Sequence, residues 1–277
     1  MVKSLCTAIF MGLFAATSAH AAETTFERVL ATQTINCGYF LWPPYLAKDP
    51  NTGKLSGMNY EIMEMVAKNM GFKINWKSEI GVGDAVAALE SNKIDVVCAS
   101  LWPSPSRMQN LSLSVPTFYS IAYAFVRSDD KRFDGDLNKA DNKGIKVAAI
   151  DGDYTHDLAK EKLPNATVAS LSQMASGSEL MMQLAIKKAD IVFSDESLVN
   201  DFLKTNPGAL RKVKSIPPVR IYGETIAVRR GEYQLKNMID MAISQLVNDG
   251  TIEAAVKKYA KKYKSEFMAP TKSYITK

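Results

Sequence analysis

Two α/β lobes, each a mostly parallel sheet flanked by helices and joined by two hinge crossings, are the fold this sequence predicts. Three observations predict it. Apolar strand-like runs and helical runs alternate along the chain twice over, the pattern of parallel sheets. The run Lys93-Ile94-Asp95-Val96-Val97-Cys98-Ala99-Ser100 is echoed by Lys188-Ala189-Asp190-Ile191-Val192-Phe193-Ser194-Asp195, and each copy follows a helical run, Asp84 to Asn92 or Ser178 to Lys187. The chain leaves the first unit near Tyr119 and returns near Tyr222, and two such crossings make a hinge beside a cleft.

In chain order, Thr34 to Tyr39 reads as a first strand after a loose lead. The prolines of Phe40-Leu41-Trp42-Pro43-Pro44-Tyr45 forbid a continuing central strand, so this is a loop at a strand's carboxyl end. Asp49 to Gly53 is a turn. Met58, Ile62, Met65 and Val66 keep helical spacing, and Gly71 ends that helix. Phe72 to Trp76 is a second strand, and Asp84 is placed to cap the next helix. The apolar run from Asp95 suits a strand buried on both faces, and it breaks into Leu101-Trp102-Pro103-Ser104-Pro105-Ser106-Arg107, where Ser104 or Ser106 can cap a brief turn. Leu111 to Val115 and Ile121 to Val126 are extended, and the charged stretch 127–142 marks a passage between domains.

The second half opens with a strand at Ile145 to Ile150, the turn Asp151-Gly152-Asp153-Tyr154-Thr155 and a helix. A short strand at Thr167 to Leu171 follows, then a helix from Ser178, the strand ending at Asp195 and a helix from Glu196 to Lys204. Ile221 to Val228 is extended again. Leu235, Met238, Ile239, Ala242 and Leu246 define an amphipathic helix, and Asp249-Gly250-Thr251 stops it and starts the last one. The expected division is a signal segment at 1–21, a first lobe at 22–118, a second lobe at 119–221 and a return to the first at 222–277.

Lys3, the apolar run Ala8 to Ala16 and the small-x-small site Ala19-His20-Ala21 form an export signal cut before Ala22. The run is too short to span a bilayer, and the expected destination is the periplasm. Removing 21 of the 277 residues leaves 256, enough for one large or two small domains, and drops the net charge from +5 to +4. That mild charge, without a basic patch interleaved with aromatics, argues against nucleic acid. Lys257, Lys258, Lys261, Lys262 and Lys264 form a solvated helix face. Cys37, Cys98 and His156 are too few for a Cys/His zinc site, and no metal or cofactor is expected. Export permits a disulfide between the two cysteines, while two buried free thiols fit the apolar runs equally well.

Loops at the carboxyl ends of parallel strands are where open α/β folds bind ligands. One copy of the internal repeat ends toward a cation, Arg107, whose planar fork suits a carboxylate. The other ends at an anion, Asp195. Facing lobes that carry these tips would grip the two ends of one zwitterion, of which an amino acid is the simplest. Trp42, Tyr45 and Trp102 offer aromatic walls for its side chain.

In Leu55-Ser56-Gly57-Met58-Asn59-Tyr60-Glu61, Ala88 to Asp95, Arg107, Asp190 to Asp195 and Asn248-Asp249-Gly250-Thr251, the chain resembles the periplasmic solute-binding proteins of polar amino-acid ABC transporters, the family-3 type. The resemblance runs from about Ile35 to Tyr263. It implies the type II periplasmic-binding-protein fold, closure on a ligand, docking of a monomer on a membrane ABC permease, and binding without catalysis. It places the carboxylate-binding arginine on Arg107 and the amino-group aspartate on Asp195. It places ligand contacts on Ala99, Ser100 and Leu101, the aromatic wall on Trp42 and Tyr45, and further contacts on Asp153 or Tyr154. The chain departs from the pattern at Trp102, where the family carries Ser or Thr, at Pro103 and Pro105, and at Asn59 and Glu61. Two other classes stay in view: an exported cyclohexadienyl-dehydratase-like lyase on the same scaffold, with Glu196 as its acid, and a sensory ligand-binding domain.

Overall fold

The computed structural model describes residues 24–273, so the signal segment and its cleavage point lie outside the described residues. Helix α1 (Thr25–Thr32) replaces the loose lead. Thr24 and Glu27 cap each other's backbone N–H across its first turn, a T-x-x-E box that the sequence carried in plain view. Strand β1 (Thr34–Tyr39) comes next, followed by the Trp42–Leu46 bridge and the short pair β2 (Ala47–Lys48) and β3 (Leu55–Ser56). Helix α2 (Met58–Asn69) buries Met58, Ile62, Met63 and Val66. Gly57 starts it at φ 121° with its Cα against the Tyr45 carbonyl, a close approach that only a residue without Cβ permits.

Strand β4 (Lys73–Glu79) leads to α3 (Ala85–Glu90), β5 (Val96–Leu101), α4 (Pro105–Asn110) and β6 (Leu111–Leu113). Asp84 does not cap α3; it accepts from Gly81 N–H and Gln173 instead. The ten-residue β7 (Phe118–Arg127) leaves this half. The other half holds β8 (Lys146–Ile150), α5 (Tyr154–Lys162), β9 (Thr167–Leu171), α6 (Gly177–Ala185), β10 (Ile191–Ser194), α7 (Glu196–Thr205) and β11 (Leu210–Lys212). The ten-residue β12 (Arg220–Arg229) returns, and α8 (Tyr233–Asn248) and α9 (Thr251–Tyr263) finish the chain.

The fold is a two-lobed α/β architecture on a curled sheet, with strand order β4-β1-β5-β12-β7-β10-β8-β9. Each end is parallel: β4-β1-β5 on one side, β10-β8-β9 on the other. The antiparallel pair β7 and β12 joins them. β12 pairs with β7 from Arg220 to Glu224 and with β5 from Thr225 onward, so Glu224 sits where the strand passes from one half to the other.

The internal copy in the sequence is a copy in space. Asp95 N–H bonds the Asn36 carbonyl at 2.8 Å while its carboxylate accepts from Asn36 N–H at 2.6 Å. Asp190 does the same to Lys146, at 2.8 and 2.9 Å. Each aspartate thus pins the start of its strand to the next parallel strand, where a backbone donor would otherwise go unpaired. Cys37 of β1 and Cys98 of β5 form a buried disulfide with Cα atoms 5.5 Å apart, which settles the pairing that the sequence left open.

Candidate functional site

Both copies of the repeat end on the same rim. A cavity with an empty volume of about 410 Å³ lies there, lined by Phe40, Trp42, Tyr45, Asn59, Ser100, Leu101, Trp102, Arg107, Asp153, Tyr154, Asp195 and Glu224. Seven of the eight residues singled out from the sequence meet in it: Trp42, Tyr45, Ser100, Trp102, Arg107, Tyr154 and Asp195. Ala99 does not. The two-residue alternation of β5 turns Ser100 to the cavity and buries Ala99 in the core. Glu196, the acid of the lyase reading, lies outside the cavity and pairs with Lys212 at 2.6 Å.

Local chemistry fixes each group. Ser104 caps α4 by accepting Arg107 N–H, and Pro105 occupies the first turn, where its missing donor is harmless. This aims Arg107 back at the cavity, 7% exposed. Its guanidinium donates to the Trp102 carbonyl at 2.9 Å and, across to the other half, to the Gly152 carbonyl at 3.3 Å. It also faces Asp153 at 3.5 Å, a pairing the sequence did not suggest. Asp153 caps α5 through Thr155 N–H and hydroxyl. Asp195 caps α7 through Leu198 N–H at 3.1 Å and accepts from the Ser197 hydroxyl. Cap and cavity wall are therefore one role for Asp195. Ser100 donates to Asn59 at 2.8 Å, which holds the end of β5 against α2.

Trp102 is the centre of the wall. Its ring lies 3.9 Å from Tyr222 and 3.5 Å from Tyr154, centroid to centroid. Its indole N–H donates to Glu224, which also accepts from the Ser120 hydroxyl at 2.5 Å. The residue that departs from the family pattern thus ties the first half, the second half and the crossing strand together. Glu224 itself was missed. A lone acid inside the extended run Ile221 to Val228 was the available signal, because glutamate is depleted in strands and rarely buried unless paired.

Burial dominates the electrostatics. It pushes Asp195 and Asp153 up, against hydrogen bonds from Ser197 and Leu198 in the first case and the Arg107 charge and Thr155 in the second. It pushes Glu224 up to about 8, helped by the Asp195 charge and opposed by Ser120, Trp102 and Arg107. The Tyr45 hydroxyl lies beside Asp195 and Ser197, yet meets neither in hydrogen-bond geometry. The buried Tyr154 hydroxyl is also without a partner among the described residues.

A carboxylate raised from 4.5 to about 8 binds its proton more tightly in the folded chain. Its stabilisation is complete below pH 4.5 and fades as pH rises to about 8, by up to about 1.4 kcal/mol per pH unit. Carboxylates with depressed values act below this window, while the raised Asp153 and Asp195 act in the same direction as Glu224. Urea unfolding of ligand-free protein should therefore show stability falling from pH 5 to 8, and Glu224→Gln should flatten the slope. A flat wild-type profile would mean that Glu224 is ionised throughout.

The model of the bacterial extracellular solute-binding proteins, family 3, matches residues 36–262 of the chain. The chain belongs to that family. Among individual members, this family-3 chain is 28% identical over 250 residues to the probable amino-acid ABC transporter-binding protein of Haemophilus influenzae, covering 89% of this chain and 92% of that protein. It is 26% identical over 223 residues to the L-arginine-binding protein of Pseudomonas aeruginosa, covering 79% and 84%. Among solved structures it is similar to an ancestral arginine-binding protein bound to arginine, with a TM-score of 0.68 and 27% identity over 82% of this chain and 98% of that one.

Proposed function

We propose that this family-3 solute-binding protein is exported to the periplasm, with its signal cut before Ala22. There, as a monomer, it captures an amino acid or related small zwitterion between two lobes and delivers it to an ABC permease. The lobes are 22–118 with 222–277, and 119–221. The observation that carries the reading is that Arg107 and Asp195, opposite in charge and both buried, line one cavity at the strand ends of opposite halves. Burying a charge is tolerable only when it is paired. Arg107 already faces Asp153, while Asp195 has only neutral donors among the described residues. A ligand whose ammonium answers Asp195 and whose carboxylate takes the remaining Arg107 N–H groups therefore favours closure by its differential affinity for the closed form. Relatives named as amino-acid and arginine binders support the ligand class. Trp42, Tyr45, Trp102 and Tyr154 form the side-chain wall in this reading, and Ser100 and Asn59 hold its floor.

A thermal-shift screen over amino acids, opines, polyamines and small carboxylates tests it. A ligand at 100 times its Kd adds about 2.7 kcal/mol to the folded state, so at least one amino acid should raise the melting temperature by several degrees. Its deaminated analogue should not, and Asp195→Asn should abolish that distinction. Equal binding of parent and deaminated analogue would end the zwitterion reading. Recovery of the ligand chemically unchanged separates a binding protein from a lyase.

A further inference from the structure

The ionisable groups lining the cavity do not balance. Three carboxylates, Asp153, Asp195 and Glu224, share it with one guanidinium, Arg107. Arg107 faces Asp153 at 3.5 Å. In the proposed reading the ligand ammonium answers Asp195 and its carboxylate leans on the remaining N–H groups of Arg107. Glu224 is then left with neutral donors alone: Trp102 and Ser120 both bond to its Oε1, and its Oε2 has no hydrogen-bond partner among the described residues. The residue is 3% exposed, at the point where β12 passes between the halves.

A buried carboxylate without a cation holds a proton, and the groups that bear on Glu224 explain why this one does. Asp195 repels its charge, Arg107 favours it, and Tyr45 and Tyr154, which both sense its field, are neutral hydroxyls. The rings of Phe40, Trp42, Tyr45, Trp102 and Tyr154 line the same cavity. Aromatic faces attract cations, more strongly when water is excluded. A neutral apolar side chain would use those rings but gain nothing from Glu224.

We propose that Glu224 recognises a second positive charge on the ligand, so that the protein takes a cationic amino compound, with an ammonium or guanidinium on its side chain, in preference to a neutral or acidic one. This deepens the amino-acid reading and rests on it. Binding then exchanges the Glu224 proton for the ligand's charge. The proton leaves to buffer, and the carboxylate pairs with the cation.

Calorimetry at pH 7 with L-arginine, L-lysine, L-glutamine, L-norleucine, agmatine and cadaverine tests the proposal. Arginine or lysine should bind at least about tenfold tighter than glutamine or norleucine, as expected when one of two partners lacks its charge. The apparent binding enthalpy should vary with the ionisation enthalpy of the buffer, showing proton release in the unmutated protein. Glu224→Gln, which keeps the shape and the Oε1 acceptor, should erase both the preference and the proton release. If glutamine or norleucine binds as tightly as arginine with no proton released, Glu224 only positions Trp102; the cation proposal falls and the amino-acid reading stands. If agmatine and cadaverine bind and no amino acid does, the amino-acid reading falls and the Glu224 assignment stands. Binding of none of the six overturns both.

Discussion

Arg107→Ala is expected to weaken ligand binding at least about tenfold and to destabilise the ligand-free protein at the same time. The first effect comes from truncating one partner of a buried charge pair, which costs about 2–5 kcal/mol. The second was invisible in the sequence. Asp153 is 5% exposed, and Arg107 is the cation that faces it. Removing the guanidinium leaves that carboxylate buried in a cavity whose other ionisable groups, among the described residues, are the carboxyls of Asp195 and Glu224 and tyrosine hydroxyls. Breaking such a pair costs about 3–5 kcal/mol when the partner stays charged. Asp153 can escape part of this by taking up a proton, so a loss of about 2–3 kcal/mol is expected at pH 7. Two measurements separate the effects. In urea unfolding, Arg107→Ala combined with Asp153→Asn should recover most of the lost stability, because the uncompensated charge is gone. In calorimetry the same double variant should bind no better than Arg107→Ala. Equal stability of single and double variants would show that Asp153 does not depend on Arg107. Recovery of affinity in the double variant would show that Arg107 serves only to neutralise Asp153.

The second large effect is expected from the disulfide. Cys37 and Cys98 are 61 residues apart, and cross-linking a loop of that length removes about 4 kcal/mol of unfolded-state freedom in the chain-entropy account. Both sulfurs are fully buried between β1 and β5, so the pair Cys37→Ala and Cys98→Ala should leave the fold and the ligand affinity nearly unchanged. The loss should appear as a lower urea midpoint with little change in the native state. Wild-type protein unfolded with a thiol reductant should show the same midpoint as the double variant, and the variant should ignore the reductant. A shift below about 1 kcal/mol would mean that the reduced chain keeps enough residual structure to make the link redundant.

Much of the fold was legible because it depends on local pattern. The internal copy around Asp95 and Asp190 predicted two similar halves, and each aspartate does clamp the start of its strand. Pro43, Pro44, Pro103 and Pro105 placed two loops correctly at strand ends, since proline cannot donate to a ladder. Helix α1 carries a readable capping box, yet it is eight residues long and buries only Thr25 and Val29, too few apolar positions to show a helical period. Asp84 was misassigned for a different reason. Its partner Gln173 lies 89 residues away, in the other half, and no local signal announces it.

The amino-acid sequence by itself determined that two α/β units share a hinge, that a cation and an anion end their matching strands, and that the chain belongs among solute binders of one family. The first two follow from periodicity, turn chemistry and spacing, which act between residues close in the chain; the third rests on the resemblance of its motifs to known members. Tertiary structure alone decided the partners across the gap: Arg107 against Asp153, Trp102 between Tyr154 and Tyr222, and Glu224 beneath them. A buried charge takes its character from whatever surrounds it in space, and a glutamate in an extended run reads the same whether it faces water or the floor of a cavity. Only folding brings Trp102 and Glu224, 122 residues apart, within hydrogen-bonding reach, where desolvation and hydrogen bonding tell the two apart.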